Sequence, residues 1–341
     1  MIERQEESVG SEKEGVIKPA PLILIVSTKF DPHVDIIIHQ LHEKQIPFVR
    51  FNTEDFPLSA SATILFEGFT HSEELTFPNN PQIKGSDITA VWYRRPAPFE
   101  FPSEFSPAAH IFAEKETRAA IQGLWQLLDC LWVNHPEKNR VAEVKLNQLK
   151  TASRLGLEIP KTLLTNDPEE VRKFFQSCSE NIIIKTLTGG LVTDELDSTA
   201  IYTNVVGKED VKYIDTVRYT PTLFQEYVPK EIELRITVVG EKVFAAEIHS
   251  QTRQKTLVDW RRDALNLSHI EHKLPKEIEE KCESLVRSFG LHFGAIDMIL
   301  TPDGRYVFLE INPNGQWAWI EDLTGMPISE ALIELLAGQQ K

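Results

Sequence analysis

The sequence predicts a mixed α/β protein of two or three lobes: an N-terminal α/β unit on a parallel sheet, a central unit, and a C-terminal unit dominated by an antiparallel sheet. Three observations carry this. Residues 21–51 read as strand, helix, strand, the βαβ rhythm of a parallel sheet. Residues 294–314 read as two strands joined by Thr301-Pro302-Asp303-Gly304, whose Pro-Asp-Gly is strong turn chemistry. The chain, with 341 residues and 41% hydrophobic side chains, is long enough for several cores.

In chain order, residues 1–18 are polar and Glu-rich and are expected to be a flexible acidic tail, because so few apolar side chains cannot offset the entropy of ordering. The N-terminal domain is expected over residues 19–137. It opens with an apolar run at 21–27, and Val34, Ile37, Ile38 and Leu41 then recur at helical spacing before a second strand at 47–51. No Gly-rich fingerprint follows the first strand, so dinucleotide binding is not supported. A strand at 88–93 and a long helix over 107–130 complete this unit. A helix at 139–155 then carries the stripe Ala142, Leu146, Leu149 and Ala152, and Gly156 with Pro160 stops it. The central lobe is expected over 138–225, with strands at 181–185 and 201–205. The C-terminal lobe, over 226–337, carries strands at 234–239, 243–248, 295–300 and 306–311, and helices at 276–289 and 329–337.

Composition excludes several classes. Lys and Arg total 36 against 51 Asp and Glu, and a net charge of −15 opposes attraction to nucleic acid or anionic lipid. Cys130, Cys178 and Cys282 are too few and too scattered for a disulfide framework or a CxxC metal site. No run of about 18 apolar residues occurs. The N-terminus also lacks the order of a signal peptide, so a cytoplasmic protein is expected, with no membrane partner.

The strongest chemical signal is the 294–314 hairpin. If Thr301 pairs with Gly304, Asp297 lies opposite Phe308, and alternation brings Phe308, Glu310 and Asn312 to the face of Asp297. Glu310 is then the diagonal neighbour of Asp297, roughly 7 Å away. Carboxylates flanked by Ile296, Met298, Leu309 and Ile311 are expensive to bury unless compensated, and a hard cation such as Mg²⁺ compensates them. An exposed polar edge is the ordinary alternative.

Lys185 ends the apolar strand Ile182-Ile183-Ile184 and precedes Thr186-Leu187-Thr188-Gly189-Gly190, a loop able to approach phosphate oxygens closely. On pattern alone a lysine at such a strand end is usually just solvated, and Lys145, off the apolar stripe of its helix, reads the same way. Phe224-Gln225-Glu226-Tyr227-Val228 is an apolar connection that can hold adenine, and Glu231 or Glu233 just beyond can accept from ribose hydroxyls. Arg94 and Arg95 end a strand before Pro96 and project to opposite faces, where one could clamp a carboxylate or simply remain solvated.

The order Lys145, Lys185 with Thr188-Gly189-Gly190, Gln225 to Val228, Glu233-Leu234-Arg235, Asp297 and Glu310-Ile311-Asn312 resembles the ATP-grasp ligases over roughly residues 20–337. Within them the chain is similar to the graspetide synthetases, the microviridin-type peptide ligases. The resembling stretches are Arg50-Phe51-Asn52-Thr53-Glu54, Trp92-Tyr93-Arg94-Arg95-Pro96, Ile248-His249-Ser250-Gln251, Asp259-Trp260-Arg261 and Asn312-Pro313-Asn314-Gly315-Gln316-Trp317. The resemblance implies an ATP-grasp fold with an N-terminal pre-grasp lobe, and ATP phosphates held by Lys145, Lys185 and the loop Thr188, Gly189, Gly190. It implies an adenine hinge at Gln225, Glu226, Tyr227 and Val228, and a ribose acceptor at Glu231 or Glu233. Two Mg²⁺ ions would sit on Asp297, Glu310 and Asn312 with Glu310 shared. Arg235 and Arg261 would stabilise the transferring phosphoryl group and acyl phosphate, and Arg94 or Arg95 the acidic core of a peptide.

The implied reaction phosphorylates an Asp or Glu side chain of a ribosomal precursor peptide, which a Thr, Ser or Lys side chain then attacks to close a lactone or lactam. Relatives of this kind bind a leader peptide on the central lobe, here expected near 191–205 and 209–213, and tend to be homodimers. A ligase of free amino acids or small peptides and a small-molecule kinase are the alternatives, while intact Lys185, Asp297, Glu310 and Asn312 argue against a nucleotide-binding regulatory protein that has lost catalysis.

Overall fold

A computed structural model describes residues 21–78, 82–188, 191–193 and 198–338. The acidic tail expected over 1–18, together with Gly189 and Gly190, lies outside the described residues. Among the described residues no helix is long and apolar enough to cross a membrane.

The N-terminal lobe has the expected parallel sheet, in the order Phe48–Asn52, Leu22–Ser27, Ile88–Tyr93, Leu131–Val133. Strand Leu22–Ser27 is buried almost throughout, which is why it reads as a continuous apolar run rather than an alternation. Helix Pro32–Glu43 starts at Asp31, whose carboxylate accepts from the His33 N–H, with Pro32 in the first turn. The antiparallel strands Ser61–Glu67, Thr70–Thr76 and Ile83–Lys84 form a further small sheet that periodicity did not announce.

The helix expected over 139–155 is two helices, Pro136–Ala142 and Lys145–Arg154, because Val144 is extended (φ −74, ψ 103). The correction matters functionally: the break puts Lys145 in the first turn of the second helix. It also explains the failure of the stripe at Leu146, which is 45% exposed, while Gln148, Leu149 and Ala152 are buried.

The central sheet is antiparallel, ordered Asn204–Val206, Ile182–Lys185, Thr222–Glu226, Thr162–Thr165, with a separate hairpin of Leu191–Thr193 and Ser198–Ala200. The C-terminal sheet runs His269–Glu271, Lys242–Ile248, Ile232–Val239, Phe293–Leu300, Tyr306–Asn312, all antiparallel. Helix Lys276–Ser288 covers one face through Cys282, Leu285 and Val286. Helix Ile328–Leu336 joins Ile23, Ile37 and Leu41 of the N-terminal lobe to Val239, Phe293 and Trp317 of the C-terminal one in a single core. That shared core fixes the ends of the parallel strands against the loop after Asn312.

Candidate active site

The register of the acidic hairpin corrects the expected one. Leu300 pairs with Tyr306 and Met298 with Phe308, but Asp297 pairs with Glu310, so one extra residue, Leu309, sits in the outer strand. This is a β-bulge. It turns Phe308 into the core, fully buried beside Met298, and brings Glu310 directly opposite Asp297 rather than diagonal to it. Simple alternation fails here because Phe308 and Glu310, two apart in sequence, must face opposite sides. Asn312, opposite Ala295, shares the face of Glu310.

A row of charges results across neighbouring strands. Arg235 pairs with Asp297 and Asp297 with Glu310, while Lys145 reaches in from its helix to Glu310 Oε2. Arg235 Nη1 donates to both oxygens of Asp297 at 2.9 and 3.1 Å, and Nη2 to the Gln316 carbonyl at 3.1 Å. Gly315 lets this loop pass, since a Cβ there would collide with the Cβ of Ala295 and crowd the Arg235 guanidinium.

The order is plus, minus, minus, plus, and the two carboxylates in the middle repel. Burial raises the pKa of Asp297; Arg235 opposes that and Glu310 adds to it. Burial also pushes Glu310 up, but Lys145 and Lys185 overcome it and hold the carboxyl down at about 2. Lys185, at the end of Ile182–Lys185, is lowered by burial and by Lys145, with Glu310 opposing. Two abutting carboxylates joined on one face by the Asn312 amide form an all-oxygen donor set that fits Mg²⁺. Among the described residues no group of three or more His, Cys, Asp and Glu could hold a metal, so an ion here would draw its remaining ligands from Asn312, water and substrate phosphates.

Next to this row lies a cleft open to solvent, walled by Ile183, Lys185 and Gln225 of the central sheet and by Glu233, Asp297 and Glu310 of the C-terminal one. It brings together half of the predicted residues: Lys185, Gln225, Glu226, Tyr227, Val228, Glu233, Arg261, Asp297 and Glu310. The hinge is held by backbone pairing, with Glu226 N–H donating to Lys161 O at 3.0 Å and Tyr227 N–H to Asn181 O at 2.9 Å. Of the two candidate ribose acceptors, Glu233 lines the cleft, whereas Glu231 is exposed outside its lining and donates its backbone N–H to Leu300 O at 2.9 Å. Glu233 is raised by burial, and Lys230 at 2.6 Å counters the rise.

Arg261 is gripped by Asp259, its Nε donating at 2.8 Å and Nη2 at 2.6 Å, and its pKa is raised chiefly by that partner. Thr188 is exposed outside the cleft lining. Arg94 and Arg95 do not line the cleft either: Arg95 is exposed, while Arg94 is 2% exposed and donates from Nη1 to the Asn314 carbonyl. Sequence reasoning assigned no role to Lys230, Asp259, Trp260 or Gln148. A signal for Gln148 existed, since a polar side chain occupies the buried stripe with Leu149 and Ala152.

A RimK-like ATP-grasp domain matches residues 142–336, and an MvdD pre-ATP grasp domain matches 22–140. The chain belongs to the RimK-like ATP-grasp ligases. A Chryseobacterium gregarium RiPP-associated ATP-grasp ligase, solved with ADP and a leader and core peptide, is similar at 31% identity and TM-score 0.88, covering 94% of this chain and 98% of that one. Macrocyclase MdnC from Microcystis aeruginosa MRC, bound with precursor peptide MdnA, is similar at 34% identity and TM-score 0.82, over 93% and 100%. A curated probable alpha-L-glutamate ligase from Vibrio atlanticus is 24% identical over 201 residues, 58% of this chain and 64% of that protein's length. ATP-grasp enzymes use ATP and Mg²⁺, which agrees with the cleft and the carboxylate row.

Proposed function

We propose that this ligase closes rings in a ribosomal precursor peptide: it phosphorylates Asp or Glu side chains with ATP and joins them to Thr, Ser or Lys side chains. The observation that carries the ligase chemistry is the row Arg235, Asp297, Glu310, Lys145 beside an open cleft that Lys185, Gln225 to Val228 and Arg261 also line. The peptide substrate is supported by likeness to two ligases solved with precursor peptides, each at least 31% identical over nearly the whole chain.

In this reading Gln225 to Val228 hold adenine and Glu233 accepts from the ribose. Lys145, Lys185 and the loop of Thr188, Gly189 and Gly190 bind phosphates. Asp297, Glu310 and Asn312 would hold two Mg²⁺ ions, whose charge would relieve the repulsion between ATP and an incoming carboxylate. Arg235 and Arg261 stabilise charge on the phosphoryl group, and Asp259 aims Arg261 by gripping two of its nitrogens. The hydroxyl or amine then attacks the acyl carbon of the resulting acyl phosphate; the new ester or amide bond forms as the bond to phosphate breaks, phosphate leaves, and the nucleophile's proton passes to solvent or to the departing phosphate. No covalent bond to the protein is needed. Arg95, exposed at the end of its strand, is the better placed of the two arginines to meet an acidic peptide. The leader is assigned to the hairpin of Leu191–Thr193 and Ser198–Ala200 and the turn of helix from Asp210, and a cytoplasmic homodimer completes the proposal.

The test is to incubate the protein with Mg²⁺, ATP and a precursor peptide. ADP rather than AMP is expected, with loss of one water per ring, and hydroxylamine should trap hydroxamates at Asp or Glu. AMP and pyrophosphate would refute the acyl-phosphate route. The curated glutamate ligases support a second reading, addition of free amino acids, which predicts a mass gain instead of a loss.

A further inference from the structure

Strand Tyr306–Asn312 is the outer strand of its sheet, and an outer strand leaves one row of backbone groups without ladder partners. Groups from four other segments occupy that row and its continuation. Glu158 offers its carbonyl to the Phe308 N–H at 2.8 Å. Gln148 lays its amide along Ile311: Nε2 donates to Ile311 O at 2.9 Å, and the Ile311 N–H donates to Oε1 at 3.2 Å. The other amide hydrogen goes to Ala142 O at 2.7 Å. Asn134 Nδ2 donates to Pro313 O at 2.9 Å, and Arg94 Nη1 donates to Asn314 O. Gln148, Asn134 and Arg94 are all buried, at 3%, 1% and 2% exposure.

We propose that Gln148 is a positioning residue for the metal site. The inference rests on reading Asp297, Glu310 and Asn312 as the metal ligands. Ile311 is the single residue between two of them, so fixing both of its backbone groups fixes the direction in which Glu310 and Asn312 point after the bulge. Gln148 also stands one turn after Lys145 on the helix Lys145–Arg154. The grip of Lys145 on the Glu310 carboxylate and the grip of Gln148 on the adjoining backbone are therefore set by one rigid element. Asn134 and Arg94 extend the same support to the carbonyls of Pro313 and Asn314.

The decisive experiment is calorimetry of ADP binding at increasing Mg²⁺, comparing wild type with Gln148→Glu, which keeps the acceptor for Ile311 N–H and loses both donors. The Mg²⁺ concentration giving half of the affinity gain should rise about ten-fold or more, while affinity without Mg²⁺ changes less than about two-fold. A folded variant with an unchanged Mg²⁺ requirement would mean a merely structural glutamine and overturns the proposal. If Mg²⁺ does not strengthen ADP binding in the wild type either, the metal reading falls first and the proposal with it. Residue-resolved hydrogen exchange on the wild type decides the matter if the variant does not fold. The Ile311 amide should already be protected without Mg²⁺, and protection that arises only when Mg²⁺ and ADP are added overturns the proposal.

Discussion

The C-terminal and central sheets hold opposite sides of the same cleft and are built to different standards. Strand Ile232–Val239 is buried at every position and pairs along its length with Phe293–Leu300. The central strands are three to five residues long, and Ile182–Lys185 is fully buried only at Ile182. The carboxylates that must meet a cation in fixed geometry stand on the first sheet. Lys185, which needs only to place a charge near phosphate, stands on the second. A site built on long buried strands resists displacement, while a lightly packed lobe can open and close over a nucleotide.

Neutralising the carboxylates should disable the C-terminal side of the cleft. Turnover by Glu310→Gln and Asp297→Asn should each fall by about a hundred-fold or more, measured as ADP release. Wild-type rates in both variants would remove the metal assignment. Their stabilities should diverge. Glu310 is depressed from 4.5 to about 2, so its ionisation stabilises the fold above the unfolded value, and that gain is lost as pH falls from 4.5 through about 2. Asp297 is raised, so its ionised form opposes folding in the metal-free protein. Thermal unfolding should therefore show Glu310→Gln destabilised at neutral pH with a flattened acid limb, and Asp297→Asn unchanged or more stable. Equal losses would contradict the asymmetry.

On the central sheet, Lys185→Ala should weaken ATP by about 1.5 to 3 kcal/mol, the cost of a charge-assisted contact, with melting temperature little changed. Calorimetry checks this, and unchanged affinity would return Lys185 to the solvated class. A smaller contrast concerns motion. Amides of Ile182–Lys185 and Thr222–Glu226 should exchange faster than those of Ile232–Val239 in the free protein, and Mg²⁺ with ADP should slow the central set more. Equal protection of both sheets would refute the division.

The legibility of the sequence follows the same divide. Strands buried on both faces and helices with a clean apolar stripe were readable, among them Ile88–Tyr93 and Lys276–Ser288. The acidic face was readable because charges in an apolar run demand compensation. Its register was not, because the bulge at Leu309 depends on Phe308 entering a core supplied by Met298 from the neighbouring strand. The break before Lys145 and the small sheet Ser61–Glu67, Thr70–Thr76 were missed for a related reason. Ser61–Glu67 has no fully buried position and Thr70–Thr76 only two, so neither leaves a strong hydrophobic period. At Arg94 the strand-end position does not announce a partner, because the Asn314 carbonyl it grips lies 220 residues away.

The smallest expected effect is a fractional proton. Burial first, then Lys145, lowers the pKa of Lys185 below the ordinary 10.5, so in alkaline buffer a share of the protein carries a neutral amine there. In folding, the sign is that of a lysine whose charged form is disfavoured: the cost is present at neutral pH and disappears as pH rises toward 10.5. Nucleotide phosphates bring negative charge beside the amine and raise its pKa again, so binding must take up protons in proportion to the neutral share. Calorimetry in two alkaline buffers of different ionisation enthalpy should report this uptake for the wild type and less of it for Lys185→Arg, whose guanidinium is always charged. Uptake of the same size in both would assign the proton to another group. No uptake in the wild type would mean that the central lobe leaves Lys185 hydrated, and that the two sides of the cleft differ less in burial than their strands imply.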